Sequence, residues 1–224
     1  MPALRFLPCG IFLALLCLPA CTVAPELEEE EPASTESAYF GTIPDMVPIS
    51  APAGAVASWA QPDSEGAFDQ YGYCGATAAS NLLRWYGKEV APRRAIDDGC
   101  WSYVGTTPST LAAYLRDKHS ELDCSYRTLD FYADGLATLR RSLEAGRPVI
   151  IQFMTGSLNA HWVTAIGVRG AGDDPEIVVM SWAGFYTLQW SRLQDAWRRA
   201  WGGYYPHVIC DAVSPLAAAL HVDR

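Results

Sequence analysis

The chain is short of positive charge. Sixteen Lys and Arg stand against 25 Asp and Glu, for a formal net charge of −9. A surface of that sign argues against nucleic acid as a partner. Metal-binding patterns are missing as well. There is no Cys-x-x-Cys pair, and the four His include no pair at helical spacing. No metal and no cofactor is therefore expected. There is no internal repeat, and no apolar run long enough to serve as a permanent bilayer-spanning helix. What is present is 224 residues, half of them hydrophobic, with eight Trp and eleven Tyr. That suffices for the core of one domain, or of one small domain with a tail.

The N-terminus reads as a targeting segment. Arg5 gives a weakly positive start and Ile11 to Leu18 is a short apolar run, the pattern of a signal peptide. Leu18-Pro19-Ala20-Cys21 follows and resembles a bacterial lipobox. The resemblance implies cleavage after residue 20, acyl chains on Cys21, and a membrane contact through that lipid in the bacterial cell envelope. An ordinary secretory signal cut after Ala20 is the alternative. Thr22 is compatible with sorting to the outer membrane, with the face left open. Residues 21–48 are rich in Pro, Ala, Ser and Glu, including the acidic run Glu28 to Glu31. They read as a flexible tether. The folded domain is expected over 49–224, opening with an edge strand.

Seven Cys occur. Cys9 and Cys17 leave with the signal and Cys21 takes the lipid. If Cys74 stays free, three remain for one bridge, and Cys100–Cys124 is the expected pair.

Helices come first in the domain. Ala79, Leu82, Leu83 and Tyr86 repeat at helical spacing, and Gly87 stands at the C-cap. Pro92 to Asp98 is a short helix. Thr107-Pro108 starts another whose apolar stripe is Leu111, Tyr114 and Leu115. Asp134 caps a helix with Leu136, Leu139 and Leu143 inward. Cys124 to Leu129 is a strand. Then come the apolar strands Val149 to Met154, His161 to Val168, Ile177 to Trp182 and Phe185 to Trp190. Ser191 to Gln194 reads as a capping box, and His207 to Ala212 as a last strand. This order predicts an α+β fold, N-terminal helices on a C-terminal antiparallel sheet.

The chemistry centres on Cys74, at the start of the first helix after the polar loop Asp69-Gln70-Tyr71-Gly72-Tyr73. Free N–H groups and the helix dipole favour an anion there, and the thiolate is the nucleophile. Gly75 leaves room beside the sulfur for a substrate backbone. A thiol nucleophile needs a base. His119 sits among Lys118, Ser120 and Glu121 and reads as exposed. His221 is near the C-terminus and His207 begins a strand. His161 opens a strand after a small polar loop and suits the role.

Cys-Gly at a helix start, Trp85-Tyr86-Gly87 at its end, and a later His161-Trp162-Val163 strand together resemble papain-like cysteine peptidases. The branch most alike is that of the double-glycine peptidases that process bacteriocin leaders. Thr107 to Leu115 resembles that branch's second long helix, and the resemblance covers roughly Ile49 to Val213. It implies Cys74 as nucleophile, His161 as base, and Gln70 with the Cys74 N–H as oxyanion donors, Gln70 lying nearer the Cys than in papain. The family's acid or Asn after the His is missing. Aligned on papain, Met180 stands in its place; aligned on the bacteriocin-processing branch, Ser181 does. Asp173 and Asp174 read as solvated turn residues. The implied activity is hydrolysis of peptide or amide bonds in a peptide or protein substrate. The same pair would serve a cell-wall amidase acting on a peptidoglycan stem peptide, or an acyl transferase. A papain-like scaffold that binds peptides without turnover, and a structural lipoprotein with Cys74 in a disulfide, are the non-enzymatic alternatives.

Overall fold

The computed structural model describes residues 45–62, 73–102, 105–155, 159–200 and 204–212. Cys21, Gln70 and most of the tether lie outside them. Seven strands form one antiparallel sheet: β1 (Val47–Ile49), β2 (Leu122–Arg127), β3 (Val149–Met154), β4 (Ala160–Arg169), β5 (Glu176–Ser181), β6 (Gly184–Gln189) and β7 (His207–Ala212). Their order is β1-β6-β5-β4-β3-β7-β2. The helices are α1 (Cys74–Trp85), α2 (Pro92–Ala95), which runs into a π turn over Ile96–Cys100, α3 (Pro108–Lys118), α4 (Gly135–Glu144) and α5 (Trp190–Arg198). The α+β class holds, with helices on both faces of the sheet.

Strand alternation explains the two cores. Ile150 and Trp162 join the cluster with Leu82, Leu83, Leu111 and Leu115 of α1 and α3. Their neighbours Ile151 and Val163 join Leu139, Leu143, Leu193 and Trp197 of α4 and α5. Successive residues point to opposite faces. All six residues of β3 are buried because both faces are covered.

Helix α1 departs from the expected single apolar stripe. Its first ten residues, Cys74 to Leu83, are all buried. Small residues at Gly75, Ala76, Ala78, Ala79 and Ser80 permit this. The Thr164 hydroxyl of β4 donates to the Ala78 carbonyl at 2.8 Å. A Cβ on Gly75 would lie 2.3 Å from the Thr106 Cβ. The space beside Gly75, expected to admit substrate, is therefore filled by Thr106. The helix ends as its sequence predicts: Gly87 has φ 76°, and Lys88 N–H donates to the Leu83 carbonyl at 2.9 Å.

Two caps show how far local signals carry. Thr107 and Asp134 accept from the Thr110 and Ala137 N–H groups, as expected. The Ser191 capping box does not form. Instead Asp174 reaches over from the β4–β5 connection. Its carboxylate accepts from Ser191 N–H at 2.6 Å and from the Ser191 hydroxyl at 3.1 Å. The backbone bond from Ser191 holds this exposed carboxyl below its ordinary range. His119 is likewise more engaged than expected, 3.2 Å from the Tyr114 hydroxyl.

The Cys100–Cys124 pairing is not formed. Cys124 bonds Cys210, at a Cα separation of 4.0 Å. The two stand directly opposite each other in the β2–β7 ladder. Cys100 ends the π turn, buried as a free thiol. The bridge closes a sequence separation of 86 residues, which constrains the unfolded chain strongly. Replacing both Cys124 and Cys210 by Ser should lower unfolding free energy by roughly 2–5 kcal/mol, read from urea melts of the two forms. Equal midpoints and slopes would mean the bridge adds no stability.

Candidate active site

Cys74 is the first residue of α1, after Tyr73 at the N-cap. It is a free thiol, which rules out the disulfide-bonded structural role. Its residue exposure is 7%. The backbone N–H groups of Trp162, Gly75 and Cys74 itself lie close enough to the sulfur to favour its thiolate form. The Trp162 contact matters most for the architecture. It brings the sulfur from α1 onto β4, at the residue that follows His161. Burial pushes the thiol up from its ordinary value, and the three N–H groups pull it down less. The helix-start effect expected from the sequence is present, but desolvation outweighs it.

His161 is the second residue of β4 and is 7% exposed. Its Nε2 is 3.0 Å from the Ser181 hydroxyl at the end of β5. Trp182 stacks on the imidazole, with centroids 4.4 Å apart and planes 24° from parallel. Phe153, directly across on β3, meets it edge-on. Between these rings burial lowers the His161 pKa to about 4. Burial thus acts against the charged form of both the thiol and the imidazole. In the tautomer whose Nε2–H donates to the Ser181 hydroxyl, Nδ1 is the ring nitrogen left to take a proton.

Of the two possible alignments after the His, the geometry favours Ser181. Met180 is its neighbour on β5 and must point to the other face; it is fully buried. Asp173 is exposed and Asp174 caps α5. Gln70 lies outside the described residues.

Sequence reasoning missed the supports of the site. Trp162 donates its indole N–H to the Thr106 carbonyl at 3.0 Å. Thr106 in turn donates its hydroxyl to the Cys100 carbonyl at 2.9 Å. These contacts set the loop after the π turn against the start of α1. Trp182 was readable only as part of Ser181-Trp182-Ala183-Gly184. Its stacking follows from a two-residue turn between β5 and β6, where Ser181 pairs with Gly184. Trp182 and Ala183 have φ of 44° and 64°, a left-handed pair matching a type I′ hairpin.

Among solved structures, the fold is similar to the peptidase domain of Streptococcus ComA, a bifunctional ABC transporter involved in a quorum-sensing pathway. The two are 15% identical, over 68% of this chain and 95% of that one, with a TM-score of 0.48. No curated protein sequence matches. The model of the Peptidase_C39 like family matches residues 55–201, well over half of the chain. The chain thus belongs to the Peptidase_C39 like family and is a papain-like cysteine peptidase.

Proposed function

We propose that this peptidase hydrolyses peptide or amide bonds with Cys74 as nucleophile and His161 as general base. The observation that carries the reading is the placement of the Cys74 sulfur on the Trp162 N–H while His161 is held through Nε2 by Ser181 at 3.0 Å. The reaction starts from neutral partners. His161 Nδ1 takes the thiol proton as sulfur attacks the carbonyl carbon. The developing oxyanion is met by backbone N–H at the start of α1 and by Gln70. The C–N bond breaks as the imidazolium protonates the leaving amine. Water, deprotonated by the same imidazole, then cleaves the thioester and releases the acid. Ser181 is a positioning residue that orients the imidazole.

The location we propose is the cell envelope, with the mature chain held by lipid on Cys21 in the outer membrane. The Cys124–Cys210 bond supports a compartment outside the reducing cytoplasm. Among the described residues no helix is long and apolar enough to cross a membrane. A peptide or protein is the substrate class. A peptidoglycan stem peptide is the form that the envelope would supply.

A thiol-directed acyl probe should label the wild-type protein and should not label Cys74→Ser, which should also lose turnover of both an unfolded protein and purified peptidoglycan. Labelling that survives the substitution would place the reactive thiol at another cysteine and overturn the assignment.

The pH profile gives an independent test. His161 must be neutral to accept the proton, and its pKa is lowered to about 4. Activity should therefore persist as pH falls through 6 and fail only near pH 4. Ser181→Asp places an anion on Nε2, which favours imidazolium. The acid limb of kcat/KM should then move up by about one unit or more. A wild-type limb near pH 6.5, unmoved by Ser181→Asp, would remove His161 as the base.

A further inference from the structure

A strap of chain, residues 57–59, runs between the helix that carries Cys74 and the turn that carries Trp182. Asn81, two turns along α1, is fully buried. Its Oδ1 accepts from the Trp59 N–H at 2.7 Å. The Trp59 carbonyl accepts from the Ala183 N–H at 2.9 Å. Arg84, three residues further along α1, lays its guanidinium 3.6 Å over the Trp59 ring. It also donates from Nη1 to the Ala57 carbonyl at 3.0 Å. The strap is thus fastened to α1 by two hydrogen bonds and a stacked guanidinium, and to the β5–β6 turn by one hydrogen bond.

Two features show that these bonds do more than fill space. The Asn81 Nδ2 is buried and makes no hydrogen bond among the described residues. An apolar side chain would avoid that unpaired donor, which costs about 1–3 kcal/mol. The amide oxygen is therefore the useful part of the residue. At the far end, Trp182 and Ala183 occupy the left-handed region without being Gly. Such residues persist only where their surroundings hold them. The Ala183 N–H held by Trp59 and the Trp182 ring held by His161 supply that restraint.

We propose that Asn81, acting through the Trp59 backbone, is a positioning residue that clamps the Ser181–Gly184 turn onto His161. The clamp ties the imidazole's two supports, the Ser181 hydroxyl and the Trp182 face, to the same helix that presents the sulfur. Movement of the turn away from α1 would loosen both supports at once. The inference rests on the reading of Cys74 and His161 as nucleophile and base.

Asn81→Ala removes the acceptor. Asn81→Asp keeps an acceptor oxygen and replaces the amide NH2 by a carboxyl oxygen, in a site whose burial favours the protonated, uncharged acid. Asn81→Ala should lower kcat about 10- to 100-fold with KM nearly unchanged, the scale of a displacement of about 1 Å. It should also move the His161 ring-proton resonances toward solvent values, because the ring current of the stacked Trp182 is lost. Asn81→Asp should restore both readouts. Arg84→Gln loosens the strap from its outer side and should shift both in the same direction by less. It decides the matter if Asn81→Ala does not fold. Wild-type kcat with unshifted His161 resonances in the folded variant overturns the clamp. Turnover that survives Cys74→Ser overturns the nucleophile assignment instead, and the resonance shift still decides the clamp on its own.

Discussion

The close approach of α1 to β4 is the constraint from which the site follows. A helix bearing ordinary side chains on its first two turns could not lie where Thr164 reaches the Ala78 carbonyl and Thr106 covers Gly75. Side-chain volume is given up at Gly75, Ala76, Ala78 and Ala79. In return the N-terminus of the helix meets the backbone of the sheet. The sulfur of Cys74 then lies on the amide after His161 without either residue leaving its secondary structure. Both are carried by elements packed into the core, which holds them more tightly than loops would.

The same burial decides the electrostatics. Desolvation acts on both partners against charge: it raises the thiol and lowers the imidazole. A carboxylate beside Nε2 would oppose this and favour a thiolate–imidazolium pair. Ser181 is neutral and leaves the balance with burial. In the proposed mechanism, charge separates only when substrate arrives and the oxyanion donors and the leaving amine share it. A polar support of this kind fixes orientation but adds little electrostatic drive.

Much of this was legible in the chain, because local chemistry and long-range packing agree there. The Thr107-Pro108 and Asp134 caps, the Gly87 stop and the β3 run each carry their own signal. Cys74 and His161 stood out because a thiol at a helix start and an imidazole at a strand start are a recognisable pair. The errors have a common cause. Cys124 finds Cys210 through strand register, which spacing does not encode. Asp174 caps a helix from a connection 17 residues upstream of Ser191. The choice between Met180 and Ser181 turned on which face of β5 each side chain takes. The Trp59 strap has no local signature, since its bonds to Asn81 and Ala183 use backbone atoms that every residue has.

The two outer strands of the sheet bear on how the protein survives at high local concentration. A bare strand rim is a template on which another molecule can add its own backbone, the first step toward fibrils. β1 offers only three residues, one of them Pro48. β2, at the opposite rim, bears the oppositely charged Asp123 and Arg127 and is stitched to β7 by the disulfide. Neither rim invites stacking, so crowding many copies together would not by itself seed aggregation through the sheet.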